Sequence, residues 1–201
     1  MIMLLTAARV WERLKGFQYR IVGAKQKRAH ELILCFHDDE FYHLAGFQYL
    51  EDVRGLPAVP ASKILYKILD GTITMEQIQS GAKYFKMVEP RLIALGALES
   101  ILDNDFSLYL FNSSRIPFFS RIEADYLIHG GAAGGEIDLV FVSKDDERST
   151  HFCRSAFVER ANQNFTAGQA KLTLLYKSKT VISNQTEQIF IDRLTAQSKN
   201  P

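Results

Sequence analysis

The chain has 201 residues, of which 47% are hydrophobic, 11% aromatic and 23% charged, and this composition excludes an intrinsically disordered protein. A net charge of +1 argues against a protein that binds polyanions through bulk charge, although it leaves room for a local basic patch. The two cysteines, Cys35 and Cys153, are too few and too far apart for a zinc site. No apolar stretch reaches the ~18 residues of a membrane span. The short apolar start lacks the basic segment of a signal peptide, so we expect a cytoplasmic protein without membrane contact.

Helices and one hairpin are predicted in the first half of the chain. Residues 3–15 have apolar side chains at helical spacing, and residues 17–22 and 31–36 alternate like the two strands of a hairpin. Asp38-Asp39 offers an N-cap for a helix that begins near Glu40. We predict three further helices, at residues 62–71, 75–80 and 90–102, with Thr74 as the N-cap of the second.

From Phe106 onward the hydrophobic pattern changes to the alternation of β-strands. The sequence therefore predicts an α+β protein: a helix-rich N-terminal half with a β-hairpin, followed by an antiparallel sheet of four to five strands. We see no linker or repeat, so we expect a single domain over 1–201, mainly helical in 1–105 and mainly sheet in 106–195. The predicted strands of the second half are residues 108–112, 121–129, 136–143, 150–158 and 171–182.

The helix that begins near Glu40 is rich in aromatic residues and carries a histidine, His43, in its predicted first turn. Because a helix N-terminus disfavours positive charge, a neutral His43 imidazole there is suited to act as a general base. The alternative is a hydrogen-bonded packing residue, which is the commoner role of a lone histidine in an aromatic helix.

The glycine-rich residues 130–135 do not match a phosphate-binding loop, because the spacing of the glycines is wrong and a strand follows instead of a helix. A hairpin turn is the better interpretation. No group of His, Cys, Asp and Glu residues has the spacing of metal ligands, so we predict no metal site and no cofactor.

Two later segments combine polar groups with strand-like alternation. In residues 151–160, alternation puts Cys153 and Ser155 on one side of the strand and Arg154 on the other. The later strand carries a row of lysines on one face, which is either a solvated edge or, in a cleft, a set of charges that neutralises phosphates. The lysines are Lys171, Lys177 and Lys179.

The order in which these features follow one another in the chain resembles that of a known protein family. A strand precedes the segment Phe41-Tyr42-His43-Leu44-Ala45-Gly46, several helices follow, and a sheet then carries Arg154-Ser155-Ala156-Phe157 and, later, Gln169 before the lysine-bearing strand. Residues 17–182 with this order resemble a family of phage and mobile-element nucleases, the phage-type members of the barnase, EndoU, colicin and RelE-like fold group. Ala156 stands where that family would have an aromatic residue, and Asn164 or Phe165 where it would have a tyrosine.

The resemblance implies a metal-independent endoribonuclease, toxin-like or belonging to a mobile element, that cleaves RNA by attack of the 2′-hydroxyl group. RNA is the expected partner, with an inhibitor or antitoxin protein as a second one, and the oligomeric state is left open. Such chemistry needs a base, an acid and cations around the phosphate. The implied catalytic residues are His43 as base or acid, Arg154 (or Arg160) and Lys177 as cations, and Ser155 as a hydrogen-bond donor. The implied substrate-binding residues are Arg160, Gln169 and Lys179.

Two other functions stay open. A non-catalytic binding or accessory protein of a phage or mobile element would keep the fold without the site. An ADP-ribosyl transferase would require a dinucleotide pocket.

Overall fold

The computed structural model describes residues 2–131, 137–160 and 162–194. None of the helices in these ranges combines the length and the apolar character that a membrane span requires. The α-helices of the described residues are α1 (Ile2–Leu14), α2 (Glu40–Leu44), α3 (Ala61–Leu69), α4 (Met75–Gln79) and α5 (Glu89–Asp103). The β-strands are β1 (Phe17–Lys25), β2 (Arg28–Leu34), β3 (Phe106–Leu110), β4 (Tyr126–Gly131), β5 (Ile137–Asp145), β6 (Thr150–Val158), β7 (Ala170–Val181) and β8 (Glu187–Asp192).

The strands form one closed sheet that uses both halves of the chain. Hydrogen bonding runs in the order β1-β2-β6-β5-β4-β3-β7, and β7 pairs again with β1, which closes a ring of seven strands. Strand β8 is added beside β7. The predicted fold class, a helix-rich half with a hairpin followed by an antiparallel sheet of four to five strands, is therefore wrong. The N-terminal hairpin belongs to the same sheet as the later strands, because β1 pairs with β7 and β2 pairs in parallel with β6. The single domain over 1–201 stays a prediction.

The two long helices are α1 and α5, and the start of α5 lies beside β6. α1 buries one face of helical period against the core. α5 has Pro90 in its first turn, where a missing N–H is tolerated, and packs against both α1 and β6. The buried positions of α1 are Leu4, Ala7, Ala8, Val10, Trp11 and Leu14.

The closed sheet separates two hydrophobic clusters. The large cluster includes the buried faces of α1 and α5, whereas the small one contains Phe111, Ile116 and Phe165 from the connections around the sheet. Strand β5 is buried on both faces, because Val140 contributes to the large cluster and Phe141 to the small one.

β-Bulges in β6 and β7 change which side chains share a face. On β6, Ser155 pairs with Phe141 and Cys153 pairs with the next residue, Val142, so Arg154 has no partner. Cys153 and Ser155 therefore face opposite sides of the sheet, and the predicted alternation is wrong at this point.

On β7, the pairing with β1 skips Leu175. The skipped residue inverts the alternation, so Lys177 and Lys179 turn inward and are only 1% and 7% exposed, whereas Lys171 stays exposed. The predicted lysine face shared by all three residues is therefore wrong.

Other predicted elements differ at their ends. Thr74 is confirmed as the cap of α4, since its hydroxyl accepts the Gln77 N–H at 3.2 Å. The strand predicted at 121–129 begins only at Tyr126, after a long connection that contains a 3₁₀-helix at Ser113–Arg115. Strand β8 was not predicted. Of the predicted glycine turn, residues 130–131 belong to β4 and the rest lies outside the described residues.

Candidate active site

A cleft of about 450 Å³ opens between α2, the turn that follows it, the first turn of α5 and strand β6. Three of the catalytic residues predicted from the sequence line this cleft: His43, Arg154 and Ser155. The structure therefore brings together side chains from α2 and β6 that are more than a hundred positions apart. The lining also includes polar residues that the sequence did not suggest, namely Glu40, Gln48, Tyr49, Arg91 and Arg121.

Helix α2 presents two titratable side chains to the cleft. Phe41 and Leu44 are buried and fix the helix against the core, whereas Glu40 and His43 lie three positions apart and both line the cleft. The helix has only five residues and ends at Leu44, so His43 lies close to its C-terminus as well as to its N-terminus. The N-terminal effect expected for a longer helix is therefore not specific to His43. His43 is exposed, and its ring meets the edge of Tyr42 with the two ring centroids 5.1 Å apart.

Glu40 lies where a carboxylate charge is poorly solvated. Burial raises the pKa of Glu40 to about 8, and the carboxylates of Asp39 and Asp145 act in the same direction. The His37 N–H, which donates to Glu40 Oε2 at 3.3 Å, and the charge of Arg148 oppose this rise without cancelling it. A carboxyl group that titrates near neutral pH can both accept and donate a proton under physiological conditions.

Arg91 is held between two rings at the start of α5. Its Nη1 donates to the Met87 carbonyl at 2.6 Å, and its guanidinium carbon lies 5.3 Å from the ring centroid of Tyr49 and 5.6 Å from that of Phe157. Burial lowers the pKa of Arg91, and the nearby charge of Arg160 adds to this. The guanidinium stays charged at neutral pH but has lost much of its water, so a bound anion is favoured there.

The bulge in β6 presents two further groups to the cleft. Arg154, the residue without a partner on β5, is exposed, while the neighbouring Ser155 is only 9% exposed. Bulges near functional sites commonly redirect one side chain in this way. The guanidinium of Arg154 is thus presented at the rim, whereas Ser155 lies deeper in the wall of the cleft.

The cations of the cleft have no carboxylate partner in the described part of the chain. Arg91, Arg121 and Arg154 form no ion pair there, in contrast to Arg13, which pairs with Glu99 at 2.8 Å. The side-chain oxygen of Gln48 is buried, and no described residue donates a hydrogen bond to it. Unpaired guanidinium groups favour a phosphate, and a buried amide oxygen favours a hydroxyl or N–H donor.

The cleft therefore combines two titratable side chains with a set of cations. Glu40 and His43 lie on one helix, while Arg91 and Arg154 come from two other elements. This arrangement suits general acid–base chemistry on a bound phosphate diester. Within the described ranges, no three His, Cys, Asp or Glu side chains are grouped so that they could hold a metal ion.

The two buried lysines predicted for the site lie elsewhere. Lys177 donates to the carbonyls of Leu102, Asp103 and Asn104 at 3.0, 3.1 and 2.6 Å, at the C-terminal end of α5. Lys179 pairs with Glu99 at 2.9 Å and with Asp103 at 3.0 Å. Arg91 lies near the start of α5 and Asp103 is its last residue. The two are twelve positions apart, which is about 18 Å along the helix axis. The lysines therefore stabilise the far end of the helix and do not reach the cleft.

The two remaining predicted substrate-binding residues, Gln169 and Arg160, do not line the cleft. Gln169 bridges Asn112, accepting its N–H at 2.8 Å and donating to its carbonyl at 3.1 Å, so it fastens two connections of the sheet together. Arg160 donates to the Lys86 carbonyl at 3.0 Å and lines a second cavity next to the cleft. Of the two arginines left open by the sequence, Arg154 is the one that lines the cleft.

Sequence reasoning missed Glu40 and Arg91. The spacing of Glu40 and His43, three positions apart in a helical segment, was the available signal for an acid–base pair. Arg91 follows Pro90 at a helix start and looks like an ordinary exposed charge. Its burial comes from Tyr49 and Phe157, which are distant in sequence.

Comparison with known proteins places the chain in a family. The family model described as phage-Barnase-EndoU-ColicinE5/D-RelE like nuclease4 (PBECR4) matches residues 3–194, a range that contains α2, α5, β6 and the whole cleft. Comparisons with curated proteins and with solved structures gave no match. The resemblance inferred from the sequence is confirmed, and the chain belongs to the phage-Barnase-EndoU-ColicinE5/D-RelE like nuclease4 family.

Proposed function

We propose that this protein is a metal-independent endoribonuclease, a toxin-like nuclease of a phage or mobile element, that cleaves RNA by attack of the 2′-hydroxyl group on the adjacent phosphate. The observation that carries the proposal is the placement of Glu40 and His43 in one cleft with unpaired guanidinium groups. Membership of a phage nuclease family supports it at the level of a nuclease. RNA is the substrate that suits an acid–base pair, because the ribose supplies its own nucleophile.

The proposed reaction has two proton transfers. One member of the Glu40–His43 pair removes the proton of the 2′-hydroxyl group while its oxygen bonds to phosphorus. The bond between phosphorus and the 5′-oxygen of the next nucleotide then breaks, and the other member donates a proton to this oxygen. The products are a 2′,3′-cyclic phosphate and a 5′-hydroxyl end. Exchange of protons with solvent restores the pair.

The cations act on the phosphate during this reaction. In the transition state phosphorus is bonded to five oxygens, and negative charge builds up on the two non-bridging ones. Arg91 and Arg154 stabilise this charge. The Ser155 hydroxyl donates a hydrogen bond that orients the phosphate. Each fixed donor of this kind accounts for about 10²–10³ in rate where it has been removed from other enzymes.

The test is cleavage of a single-stranded RNA oligonucleotide in EDTA, with the ends of the fragments identified by mass spectrometry. Wild-type protein should give 2′,3′-cyclic phosphate and 5′-hydroxyl ends. His43→Ala and Glu40→Gln should each lower kcat/KM by about 10²–10⁴. His30→Ala, on β2 and outside the cleft lining, is the matched control and should cleave like the wild type.

The outcomes separate the alternatives. Intact RNA from folded wild-type protein would contradict the proposal and favour the non-catalytic binding protein. Equal cleavage by wild type and His43→Ala would place the activity outside this cleft. Cleavage of the same sequence as DNA, or of fully 2′-O-methylated RNA, would contradict attack by the 2′-hydroxyl group.

A further inference from the structure

A second cavity, of about 180 Å³, adjoins the cleft and is lined by aromatic rings and cations. The two cavities share Arg91 and Ile122, so a ligand bound in one is next to a ligand bound in the other. The mechanism proposed above uses none of the aromatic residues of this second cavity. Its lining includes Phe118, Phe119, Phe157, Phe165 and Arg160.

The floor of this cavity is a fixed group of rings. Phe165 meets Phe157 at a centroid distance of 5.5 Å and Phe118 at 4.8 Å, in edge-to-face geometry. Both Phe157 and Phe165 also pack on Phe141, which is fully buried in the small cluster. These contacts hold the rings in place before any ligand binds.

Phe119 stands at the rim with 84% of its surface exposed. It lies between Ile116, which is buried, and Ile122, which packs on the small cluster, so the segment is anchored on both sides. The Ser120 hydroxyl accepts the Ile122 N–H at 3.1 Å, and the Arg121 guanidinium lies 5.8 Å from the Phe119 ring centroid. The exposed ring is thus presented beside the Arg121 cation, on a segment that is anchored at both ends.

We propose that the second cavity is a nucleobase subsite, in which the base of a nucleotide next to the scissile phosphate stacks on Phe119; this rests on the proposed function. Aromatic rings and guanidinium planes are the surfaces on which single-stranded nucleic acids stack their bases. The volume is below the roughly 300 Å³ of typical small-molecule pockets, which suits one planar ring and not a whole nucleotide. Arg91 reaches both cavities, so it can hold the phosphate while the base occupies the subsite.

The subsite predicts a preference for unpaired RNA, because a base inside a duplex is not available for stacking. The test uses a single-stranded oligonucleotide with one ribose, hence one cleavable linkage, in an otherwise 2′-deoxy chain. The nucleotide on either side of that linkage is made abasic in turn. For wild-type protein, kcat/KM should fall about tenfold for one of the two abasic oligonucleotides, as expected for the loss of one base–aromatic stack.

Variants of Phe119 test whether this residue is the one on which the base stacks. Phe119→Ala should lower kcat/KM on the intact oligonucleotide by about the same tenfold factor and make the protein insensitive to the missing base. Phe119→Trp, which keeps a stacking surface, should retain the sensitivity. Phe85→Ala removes another exposed phenylalanine, 69% exposed and outside the lining of both cavities, and should behave like the wild type.

The experiment gives different results when the subsite proposal is wrong and when the nuclease proposal is wrong. Cleavage that is indifferent to both missing bases, or that keeps its base sensitivity in Phe119→Ala, would overturn the subsite and leave the nuclease standing. If wild type cleaves nothing, the subsite is tested alone with an all-deoxy oligonucleotide that contains 2-aminopurine, whose fluorescence is quenched by stacking. Quenching by wild type and not by Phe119→Ala would support the subsite, and no quenching by wild type would overturn it.

Discussion

Gly46 lies so close to Arg91 that a β-carbon at position 46 would be 2.9 Å from Arg91 Cδ and 2.9 Å from the Met87 carbonyl oxygen. Gly46 also has a φ of +80°, the left-handed conformation that commonly ends a helix. Both properties require a residue without a β-carbon. This glycine therefore joins the end of α2, which carries His43, to the start of α5, which carries Arg91.

Replacing Gly46 with alanine should lower the free energy of unfolding more than the same replacement at Gly71. Gly71 has a φ of +82° but nothing within 4 Å of a β-carbon, so Gly71→Ala measures the backbone strain alone, about 1–2 kcal/mol. Gly46→Ala adds the clash with the Met87 carbonyl, so its loss should be larger by about 1–3 kcal/mol. Urea denaturation of both variants measures the difference. Equal losses would show that the neighbours of Gly46 move away freely.

Lys177 should prove important for stability. Its ammonium group donates to three carbonyls at the end of α5 and lies 4.9 Å and 4.8 Å from the ring centroids of Phe106 and Phe190. Lys177→Met leaves the three carbonyls, of which that of Leu102 is buried, without their donor, so we expect a loss of about 3 kcal/mol in urea denaturation. Lys171→Met, at an exposed position of the same strand, should change stability by less than about 0.5 kcal/mol. A Lys177→Met protein that is fully stable but inactive would instead support the catalytic role inferred from the sequence.

The local elements of the fold could be predicted from the sequence, whereas the closure of the sheet could not. The β1–β2 hairpin and helices α1, α3 and α5 follow from periodicity and capping residues within one short window each. Closure depends on the pairing of β1 with β7, near opposite ends of the chain. The bulge at Leu175 is a single residue, and no pattern in the sequence marks it, yet it decides that Lys177 is buried.

The same limit applies to the cleft. His43, Arg154 and Ser155 could be proposed because polar groups in apolar segments are visible in the sequence, and the structure brings them together. Arg91 could not, because its burial comes from Tyr49 and Phe157, which are distant in sequence. For Glu40 the spacing from His43 was a signal, but the burial that raises its pKa could not be seen in the sequence. Whether these residues act in catalysis stays a prediction that the variants test.

Arg91→Lys should lower kcat/KM for RNA cleavage by at least about tenfold although the positive charge is kept. Lysine cannot present a planar pair of donors to two phosphate oxygens, and it loses the contacts of the guanidinium with Tyr49 and Phe157. The measurement is steady-state cleavage of the same oligonucleotide, with urea denaturation to show that the variant is folded. Arg115→Lys, at an exposed arginine that donates to the Gly168 carbonyl at 3.3 Å outside the cleft lining, is the control and should match wild type. Wild-type activity of Arg91→Lys would remove bidentate phosphate binding by Arg91 from the mechanism.

The raised pKa of Glu40 predicts that part of the stability is lost as the pH rises from about 5 to about 8. A glutamate in the unfolded chain titrates near 4.5, whereas burial raises the pKa of Glu40 in the folded protein to about 8. Between these values the folded state binds more protons than the unfolded state, so the free energy of unfolding falls with increasing pH. The contribution of Glu40 is complete below the unfolded value and is lost as the pH passes the folded one. Glu40→Gln carries no titratable group and should lack this dependence.

The measurement is the free energy of unfolding in urea at several pH values between 5 and 8.5, for wild type and Glu40→Gln. Burial lowers the pKa of His151, which makes stability rise with pH in both proteins, so only the difference between the two curves reports Glu40. Wild type minus Glu40→Gln should become more negative as the pH rises, whereas wild type minus Glu51→Gln, at an exposed glutamate, should stay flat. Parallel curves for wild type and Glu40→Gln would contradict the raised pKa of Glu40. They would also remove the physical reason for a Glu40 carboxyl that transfers protons near neutral pH.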